Sequence, residues 1–444
     1  MIPSRRLYLL LFLGMAIAIA TAVILDPQTS VIITLIFDAV LLILGIIDAQ
    51  WVKRQKVQVS RQTLHKLSIG RDNPVVLTVD GSSRSCRILI RDSYPQEFTV
   101  STSTFDLILP ANNTQELIYT IHPDRRGEFP WENIYVRQLG RWGLGWHSWQ
   151  IPNPQTVSVY PDLIGLRTLS IRLAIQNTGT LRQVRRFGQG TEFAELREYG
   201  VGDDTRLIDW KATARRSRPV VRVLEPEKEQ TLIILLDRGR LMTAKVQGMQ
   251  RFDWGLNAAL SLAVAGLHRG DRVGVGVFDK EITTWIPPER GQQQLSRLIE
   301  RLTPIQPNFL EPDYFGAVTR IVNQQTRRAL VVVLTDVVDS TASSELLAAL
   351  TRLTPRYLPF CVTLRDPQCD RIAHNEEEDT QPSSMQQEIT KAYSRAVALD
   401  LLAQRETAFA KLKQQGVLVL DAPADRISDA IVERYLQLKA RNLL

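Results

Sequence analysis

The sequence is poor in the residues that usually build redox or metal chemistry. Its 444 residues include only three cysteines and five histidines. Cys86, Cys361 and Cys369 are few, odd in number and without a recognisable spacing, which argues against a disulfide framework and supports no zinc site. The histidines are scattered along the chain, so we interpret them as structural residues.

Motifs of the common enzyme classes are also missing. The sequence has no GxxxxGK[ST] phosphate loop, no GxSxG nucleophile elbow and no HExxH metal motif. Asp203 and Asp204 are adjacent acids, but Arg206 two residues later favours ionised, structural carboxylates over acid–base chemistry. The sequence therefore predicts a protein that is not an enzyme and that uses no cofactor.

The composition is that of a folded protein, with 44% hydrophobic and 23% charged residues. A net charge of +7 is mild for this length and favours an acidic neighbour such as the inner membrane leaflet. No basic cluster is interleaved with aromatic residues, and the arginines at 215, 216, 218 and 222 lie among acids. We therefore predict that the chain binds no nucleic acid.

Two long apolar runs lie near the N-terminus and predict a transmembrane helical hairpin over residues 1–52. Leu7–Leu25 carries no charge, and Val31–Ala49 carries Asp38 and Asp48. Each run of nineteen residues would rise about 28 Å as a helix, close to the thickness of the hydrocarbon core. A cleaved signal peptide is the alternative for the first run, but the run is long for one and a second follows after five residues.

The flanking charges predict the orientation of this hairpin. Basic residues precede the first run and follow the second, whereas the short link contains none. The positive-inside rule then places both termini, and the bulk of the chain, in the cytoplasm of a cell-membrane protein that contacts lipid through residues 7–49. Asp38 lies near mid-membrane, and we expect it to be protonated at a contact between helices or between subunits of a homo-oligomer.

Residues 53–162 are rich in short β-type runs separated by turn residues. Such spacing without helical periodicity predicts a small β-sandwich. The strands that we predict are Val75–Val79, Arg87–Ile90, Gln115–Ile121, Ile134–Arg137 and Val157–Tyr160.

Residues 231–444 alternate between buried strands and amphipathic helices, which predicts an α/β domain with a parallel sheet. Thr231–Leu236 and Leu330–Leu334 are apolar strands followed by Asp237 and Asp336. Phe252 to Leu267 has the spacing of a helix with one buried stripe. We expect residues 366–384 to be a mobile loop, and residues 385–415 to form a helix that is bent or projects as an arm.

Residues 163–230 form a segment of dense and mixed charge. Between Arg182 and Glu229 we count eleven Lys or Arg and nine Asp or Glu. Phe193 and Leu196, three residues apart, predict a short helix with one apolar contact face. We interpret the charges as a linked salt-bridge web around Trp210, the alternative being a solvated surface. The residues assigned to this motif are Gly188, Gly190, Glu192, Arg197, Asp203, Asp204, Arg206, Asp209, Trp210, Lys211 and Arg215.

The same stretch resembles a known family. The run G-x-G-T-E-F-x-x-L-R-E-Y-x-x-G-D-D-x-R-x-I-D-W-K-A-T-A-R, which begins at Gly188, is similar to the signature of the bacterial domain of unknown function 58. The resemblance implies a membrane-anchored protein whose partner is a MoxR-type AAA+ ATPase. It is close from about residue 157 to residue 242 and weaker on both sides.

The resemblance also implies a von Willebrand factor A-like, Rossmann-like fold for residues 231–444. In that fold an Asp-x-Ser-x-Ser sequence binds a metal with a Thr and a further Asp. Here Gly239 and Leu241 replace the two serines, and Arg238 and Arg240 bring positive charge. Asp237 and Asp336 are then remnants of a degenerate site, too few for a tight Mg²⁺ site, and the two arginines are candidates to replace the cation.

Three functions follow from these observations. The first is a membrane-anchored, non-catalytic binding or scaffold protein that acts with a MoxR-type ATPase in the assembly or maturation of membrane or envelope complexes. The second is a metal-assisted hydrolase with a cleft near Asp203, Asp209, Asp237 and Asp336. The third is a purely structural scaffold whose hairpin drives oligomers.

Overall fold

The computed structural model describes residues 2–24, 27–64, 66–179, 192–200, 203–225, 230–337, 343–374 and 385–441. It has mixed α/β content with several sheets, divided into two compact units, residues 1–160 and 161–444. The predicted division into four segments with bounds at 52, 162 and 230 stays a prediction.

The first unit begins with a short strand and two helices, β1 (Ile2–Pro3), α1 (Arg5–Ile24) and α2 (Pro27–Arg54). The helices contact each other, since the Ser30 hydroxyl donates to the carbonyl oxygen of Ala18 at 3.0 Å. Within the described residues, one helix is long and apolar enough to cross a membrane, Gln28–Arg54.

Asp38 lies at the contact between these two helices. A Cβ atom at Gly14 of α1 would stand 3.4 Å from an Asp38 carboxylate oxygen. That oxygen is buried and has no hydrogen-bond partner among the described residues. The carboxyl group therefore faces the neighbouring helix; a contact with a second subunit stays a prediction.

Asp48 fixes the C-terminal half of α2 to a loop of the β-rich part. Its side chain is 1% exposed and accepts hydrogen bonds from the backbone N–H groups of Trp142 at 3.0 Å and Leu144 at 3.1 Å. A Cβ atom at Gly140 would overlap the carboxylate, so this position requires glycine. Leu7, Leu41 and Leu144 pack together beside this contact.

The rest of the first unit is β structure. All five predicted strands are present, and each is two or three residues longer than predicted. The strands are β2 (Gln58–Arg61), β3 (Lys66–Ser68), β4 (Asn73–Asp80), β5 (Cys86–Asp92), β6 (Phe98–Val100), β7 (Phe105–Leu109), β8 (Thr114–Pro123), β9 (Gly127–Trp131), β10 (Ile134–Leu139), β11 (Gly145–Ile151) and β12 (Gln155–Tyr160).

These strands form three sheets, in the orders β1-β11-β10-β5-β7, β2-β4-β8-β6 and β3-β12-β9. Alternate residues of the central strands are fully buried, as expected for sheets with one covered face. One buried ion pair joins two of the sheets: Arg61 donates to Asp92 at 2.6 Å, and Tyr119 donates to the other oxygen of the same carboxylate at 2.6 Å. The pair is therefore hydrogen-bonded on both sides, as a buried charge requires.

The second unit contains the remaining elements. Its strands are β13 (Glu192–Glu198), β14 (Val220–Glu225), β15 (Thr231–Asp237), β16 (Lys245–Val246), β17 (Met249–Gln250), β18 (Arg272–Phe278), β19 (Ile282–Glu289), β20 (Leu330–Thr335), β21 (Leu358–Arg365) and β22 (Leu418–Pro423). Its helices are α3 (Leu163–Gly179), α4 (Trp210–Arg216), α5 (Arg251–His268), α6 (Gln292–Leu302), α7 (Tyr314–Gln324), α8 (Ser344–Thr351), α9 (Pro367–His374), α10 (Met385–Gln414) and α11 (Ile427–Ala440).

Six of these strands form one sheet in the order β19-β18-β15-β20-β21-β22. All neighbours are parallel except the edge strand β19, which is antiparallel to β18. The central strand β15 is buried on both faces, which explains its continuous apolar sequence.

Helices cover both faces of this sheet. Leu232, Ile234 and Leu236 pack into one core with α5 and α11. Ile233 and Leu235 point to the other face and pack with α7, α8 and the end of α10. Helix α3 was not predicted, and its Leu166 and Leu173 belong to the first core.

The predicted loop over residues 366–384 is wrong for its first part. Pro367–His374 is the helix α9, in which Ala373 is buried. The acidic residues 375–384 lie outside the described residues. The predicted long helix is confirmed as α10, and Gly416 follows it with a φ of +81°, a conformation that suits glycine.

Candidate functional site

The charged segment forms a β-hairpin, which we call the charged hairpin and define as residues 192–225. Strands β13 and β14 pair antiparallel, with Arg197 opposite Val221 and Glu198 opposite Val220. The predicted helix with Phe193 and Leu196 on one face is therefore wrong. Strand pairing with β14 satisfies the backbone here, and a bulge between Phe193 and Glu195 disturbs the alternation that would have indicated a strand.

Asp203 closes the turn after β13. One oxygen accepts from the Arg197 guanidinium at 2.7 Å, and the other accepts from the Gly200 N–H at 2.7 Å. The hydrogen bond from Gly200 and the contact with Arg197 lower the pKa of Asp203. This carboxylate is thus ionised and structural, as its sequence context predicts.

Asp204 and Asp209 each begin a helical turn. The Asp204 side chain accepts from the Arg206 N–H at 2.9 Å and caps a 3₁₀ turn over Thr205–Leu207. Asp209 accepts from the Ala212 N–H at 3.0 Å and caps α4. Its other oxygen accepts from Arg222 of β14 at 2.8 Å, which ties the helix to the strand. The Ala212 and Arg222 hydrogen bonds lower the pKa of Asp209.

Several cations of the motif have no charged partner among the described residues. Within the described residues, Arg206, Lys211 and Arg215 are exposed and form no ion pair. Trp210 is 72% exposed. The predicted web around Trp210 is thus three separate pairs: Arg197–Asp203, Arg218–Glu198 and Arg222–Asp209.

Three residues of the predicted motif receive little or no description. Gly188 and Gly190 lie outside the described residues. Glu192 is the first residue of β13.

The second group of predicted residues lies where the parallel strands of the sheet end. We call this place the carboxyl edge and define it by Asp237, Asp279, Asp336 and Asp421. Asp237 is 1% exposed and accepts from the hydroxyl groups of Thr335 at 2.6 Å and Tyr314 at 3.1 Å. It also accepts from the Gly239 N–H at 2.7 Å. Burial raises the pKa of Asp237 to about 6, although these three hydrogen bonds oppose the rise.

Asp336 is held between two guanidinium groups. Arg251 approaches one oxygen at 2.7 Å and Arg405 approaches the other at 2.7 Å. Arg405, from helix α10, also contacts Asp421 at 2.9 Å and donates to the carbonyl of Val337. One buried arginine thus connects α10 with two strand ends of the sheet.

The arginines that replace a cation are not those predicted. Arg238 pairs with Asp279 at 2.8 Å, and Arg240 pairs with Glu311 at 2.7 Å. Sequence distance explains the error, because Arg251 and Arg405 come to Asp336 from helices far along the chain. The sequence patterns do not predict the contacts of Thr335 and Tyr314 with Asp237, although Thr335 directly precedes Asp336.

The carboxyl edge does not suit a divalent metal. Both oxygens of Asp336 already face guanidinium groups, whose charge would repel Mg²⁺, and the ligands around Asp237 are neutral hydroxyl and N–H donors. Among the residues that the structure describes, no three Asp, Glu, His or Cys side chains are grouped for a metal ion.

The four acids of the predicted cleft belong to two separate sets. The partners of Asp203 and Asp209 lie within the charged hairpin, whereas those of Asp237 and Asp336 lie at the carboxyl edge. No hydrogen bond or ion pair between described residues joins the two sets.

An exposed apolar loop adjoins the carboxyl edge. Phe309 is 81% exposed and Leu310 is 39% exposed. The loop is held in place because the Leu310 carbonyl accepts from the Arg240 N–H at 2.9 Å and the Asn308 N–H donates to the Arg238 carbonyl at 2.8 Å. The sequence signal for this patch is an apolar pair between Pro307 and Pro312, outside any periodic element.

Comparison with known proteins agrees with the signature in the charged hairpin. Residues 195–399 match the profile of the family described as Protein of unknown function DUF58. The match includes most of the charged hairpin and most of the six-stranded sheet.

Two curated relatives are uncharacterised proteins. One from Mycobacterium tuberculosis is 25% identical over 151 residues, which is 34% of this chain and 48% of the relative. One from Bacillus subtilis is 25% identical over 142 residues, which is 32% of this chain and 33% of the relative. The matched region thus spans half of these relatives or less.

Among solved structures, a Caenorhabditis elegans member of the MSP family is 11% identical, with a TM-score of 0.16 over 24% of this chain and 98% of that one. A protein of unknown function from Porphyromonas gingivalis is 15% identical, with a TM-score of 0.19 over 24% of this chain and 49% of that one.

Proposed function

We propose that this chain is a membrane-anchored, non-catalytic binding protein whose charged hairpin contacts another protein. The observation that carries the proposal is the exposure of Trp210, at 72%, on a helix that Asp209 fixes at both its cap and its strand. An ordered, exposed tryptophan flanked by cations is the kind of residue that dominates protein interfaces. The neighbouring Lys211 and Arg215 would steer an acidic partner surface.

The anchor in this proposal is a hairpin of α1 and α2 that crosses the cell membrane twice, with both termini in the cytoplasm. Apolar side chains of both helices are exposed, including Leu9 at 69%, Phe12 at 66% and Leu35 at 62%. Such surfaces need a lipid or protein environment. The basic residues Arg5, Arg6, Lys53 and Arg54 flank the two apolar segments on the same side.

We further propose that the six-stranded sheet and its helices form a von Willebrand factor A-like domain. The parallel order around β15 and the acids at the strand ends support this assignment. In this domain the degenerate metal position carries internal ion pairs, and the exposed Phe309 and Leu310 offer a second surface for protein contact.

The partner that we propose is a MoxR-type AAA+ ATPase, with which the chain would act in the assembly or maturation of membrane or envelope complexes. This choice rests on the family resemblance. The alternative of a metal-assisted hydrolase has less support, because its four acids fall into two sets and each is already bound to protein groups.

A pull-down from solubilised membranes tests the proposal. Tagged full-length chain should retain an AAA+ ATPase, and Trp210→Ala should lose it while Trp210→Phe keeps part of it. Tyr393→Ala is a matched control, since Tyr393 is also 72% exposed but lies on α10.

The variants must also be compared by proteolysis, so that loss of binding is separated from loss of folding. An ATPase retained equally by the wild type and by folded Trp210→Ala would refute the proposed contact.

A further inference from the structure

A pocket of about 270 Å³ lies between the two N-terminal helices and the β-rich part of the first unit. Its wall includes Arg6 at the start of α1, Trp51 near the end of α2, Arg84 in the loop between β4 and β5, and Arg141 in the loop between β10 and β11. Four parts of the chain that are distant in sequence therefore converge on one cavity.

The pocket is held rigidly beside the end of the apolar helix. Asp48 of α2 accepts from the backbone of the loop that carries Arg141. Ser4 donates to the same loop, through its backbone N–H to the Leu144 carbonyl and through its hydroxyl to the Gly143 carbonyl. The loop therefore keeps a fixed height relative to α2. If α2 spans a bilayer, the pocket lies at the level of the lipid headgroups.

Aromatic residues mark the same level. The rings of Trp51 and Trp142 lie 5.7 Å apart, and these side chains are 43% and 42% exposed. Tryptophan is enriched at the interface between hydrocarbon and water. The Arg141 guanidinium lies 5.8 Å from the Trp51 ring centre, so the cation is positioned at this interface.

The charge in the pocket is positive and uncompensated. Arg6, Arg84 and Arg141 are exposed and have no ion pair within the part of the chain that the structure describes. Arg87 in the same wall differs, because it is paired with Asp106 at 2.6 Å. Arginine binds phosphate oxygens through paired N–H donors, and basic pockets on the cytoplasmic side of membrane helices bind lipid headgroups.

One wall of the pocket is apolar. Ile108 of β7 lines it, and this apolar side chain is 70% exposed. A ligand with a phosphate group next to hydrocarbon would contact both the arginines and this side chain. A free phosphate ion would use only the arginines.

We infer that this pocket binds the phosphate of an anionic phospholipid, with Arg6, Arg84 and Arg141 around the headgroup and Ile108 against its apolar part. The inference rests on the proposed membrane anchor, and it does not depend on the proposed contact at Trp210. It deepens the proposed function by naming a lipid class that holds the β-rich part at the membrane surface.

The test uses the purified full-length chain in neutral detergent and measures lipid binding by native mass spectrometry. Phosphatidylglycerol should bind more tightly than phosphatidylcholine. The double variant Arg84→Ala/Arg141→Ala should weaken phosphatidylglycerol binding about 10- to 30-fold. Each basic group near an anionic headgroup strengthens binding by several-fold, and the variant removes two such groups. The control Arg91→Ala/Arg125→Ala removes the same charge from exposed positions outside the pocket and should bind as the wild type does.

Competition with inorganic phosphate separates the two sources of the anion. Phosphate should not displace the lipid at equal concentration, and full displacement would overturn the lipid assignment. Equal binding by the pocket variant and the control would overturn the pocket itself.

Carbonate extraction of membranes completes the test. Release of the wild type would refute the membrane anchor, whereas an integral chain without lipid preference would refute only this inference.

Discussion

The charged hairpin and the carboxyl edge are built from the same residue types but differ in their exposure to solvent. In the hairpin, the Arg197 and Asp203 side chains are 52% and 24% exposed. At the carboxyl edge, those of Arg405 and Asp336 are 11% and 5% exposed. Burial at the edge makes each charge depend on its partner, whereas solvent can replace a partner in the hairpin.

This difference assigns different roles to the two clusters. At the carboxyl edge, arginines of α5 and α10 compensate Asp336 and Asp421, so these ion pairs hold the helices to the strand ends. The acids of the hairpin cap turns and leave Trp210 and three cations on the surface. Stability should therefore depend on the edge, and recognition on the hairpin.

The largest effect is expected for Arg405→Ala. The substitution leaves Asp336 paired with Arg251 alone and removes the contact of Arg405 with Asp421. Both carboxylates stay in a site that remains buried. Breaking a buried pair in this way should lower the free energy of unfolding by about 3–5 kcal/mol. Urea denaturation of the purified chain measures it. Arg240→Ala is the control, because that arginine is 57% exposed on the same edge, and an equal loss in both variants would contradict the comparison.

The next effect concerns the pH dependence of stability through Asp237. Its folded pKa of about 6 lies above the ordinary value of 3.8, so the folded state binds more protons between these values. Protonated Asp237 therefore stabilises the folded state. This contribution to the free energy of unfolding is complete below about pH 4 and is lost as the pH rises through 6. Relative to Asp237→Asn, the wild type should lose about 3 kcal/mol between pH 4 and pH 7. Parallel pH profiles of the two proteins would contradict the raised pKa.

A smaller and local effect is expected for Asp209. Asp209→Ala removes the cap of α4 and the pair with Arg222, so the amides of Ala212 and Thr213 should exchange with deuterium faster while the rest of the unit is unchanged. Asp209→Asn keeps a capping oxygen and should protect these amides more than alanine does. Hydrogen exchange with mass spectrometry measures both, and equal rates in the two variants would show that capping does not order α4.

The smallest effect is expected for Arg197→Ala. Its pair with Asp203 is exposed, and Gly200 still donates to the same carboxylate. The urea midpoint should not change measurably. A loss as large as that of Arg405→Ala would mean that the hairpin is structural in the same sense as the carboxyl edge.

Much of the fold is predictable from periodicity. The strands β15 and β20 and the helix α5 have apolar patterns that only burial explains, and the structure reproduces their predicted bounds within one residue. The hairpin strand β13 was predicted as a helix because its bulge gives an apolar spacing of three. The spacing of neighbouring residues carries no information about pairing partners that are 22 to 33 residues away in the sequence.

The candidate sites were predictable only where the sequence signal is local. Asp237 and Asp336 follow apolar strands, which is a local signal. Arg251 and Arg405 lie on helices, and only the topology of the sheet brings them to Asp336. The three exposed cations around Trp210 could not be distinguished from paired ones, because charge order alone does not indicate which acids are used as caps.

Site-specific photo-crosslinking at position 210 tests the central claim most directly. Benzoylphenylalanine would replace Trp210 in the full-length chain in intact cells, with position 393 as the equally exposed control. We expect an adduct with an AAA+ ATPase from position 210 and none from position 393. Adducts with the same ATPase from both positions, or none from position 210 in a chain that is folded and membrane-inserted, would contradict it.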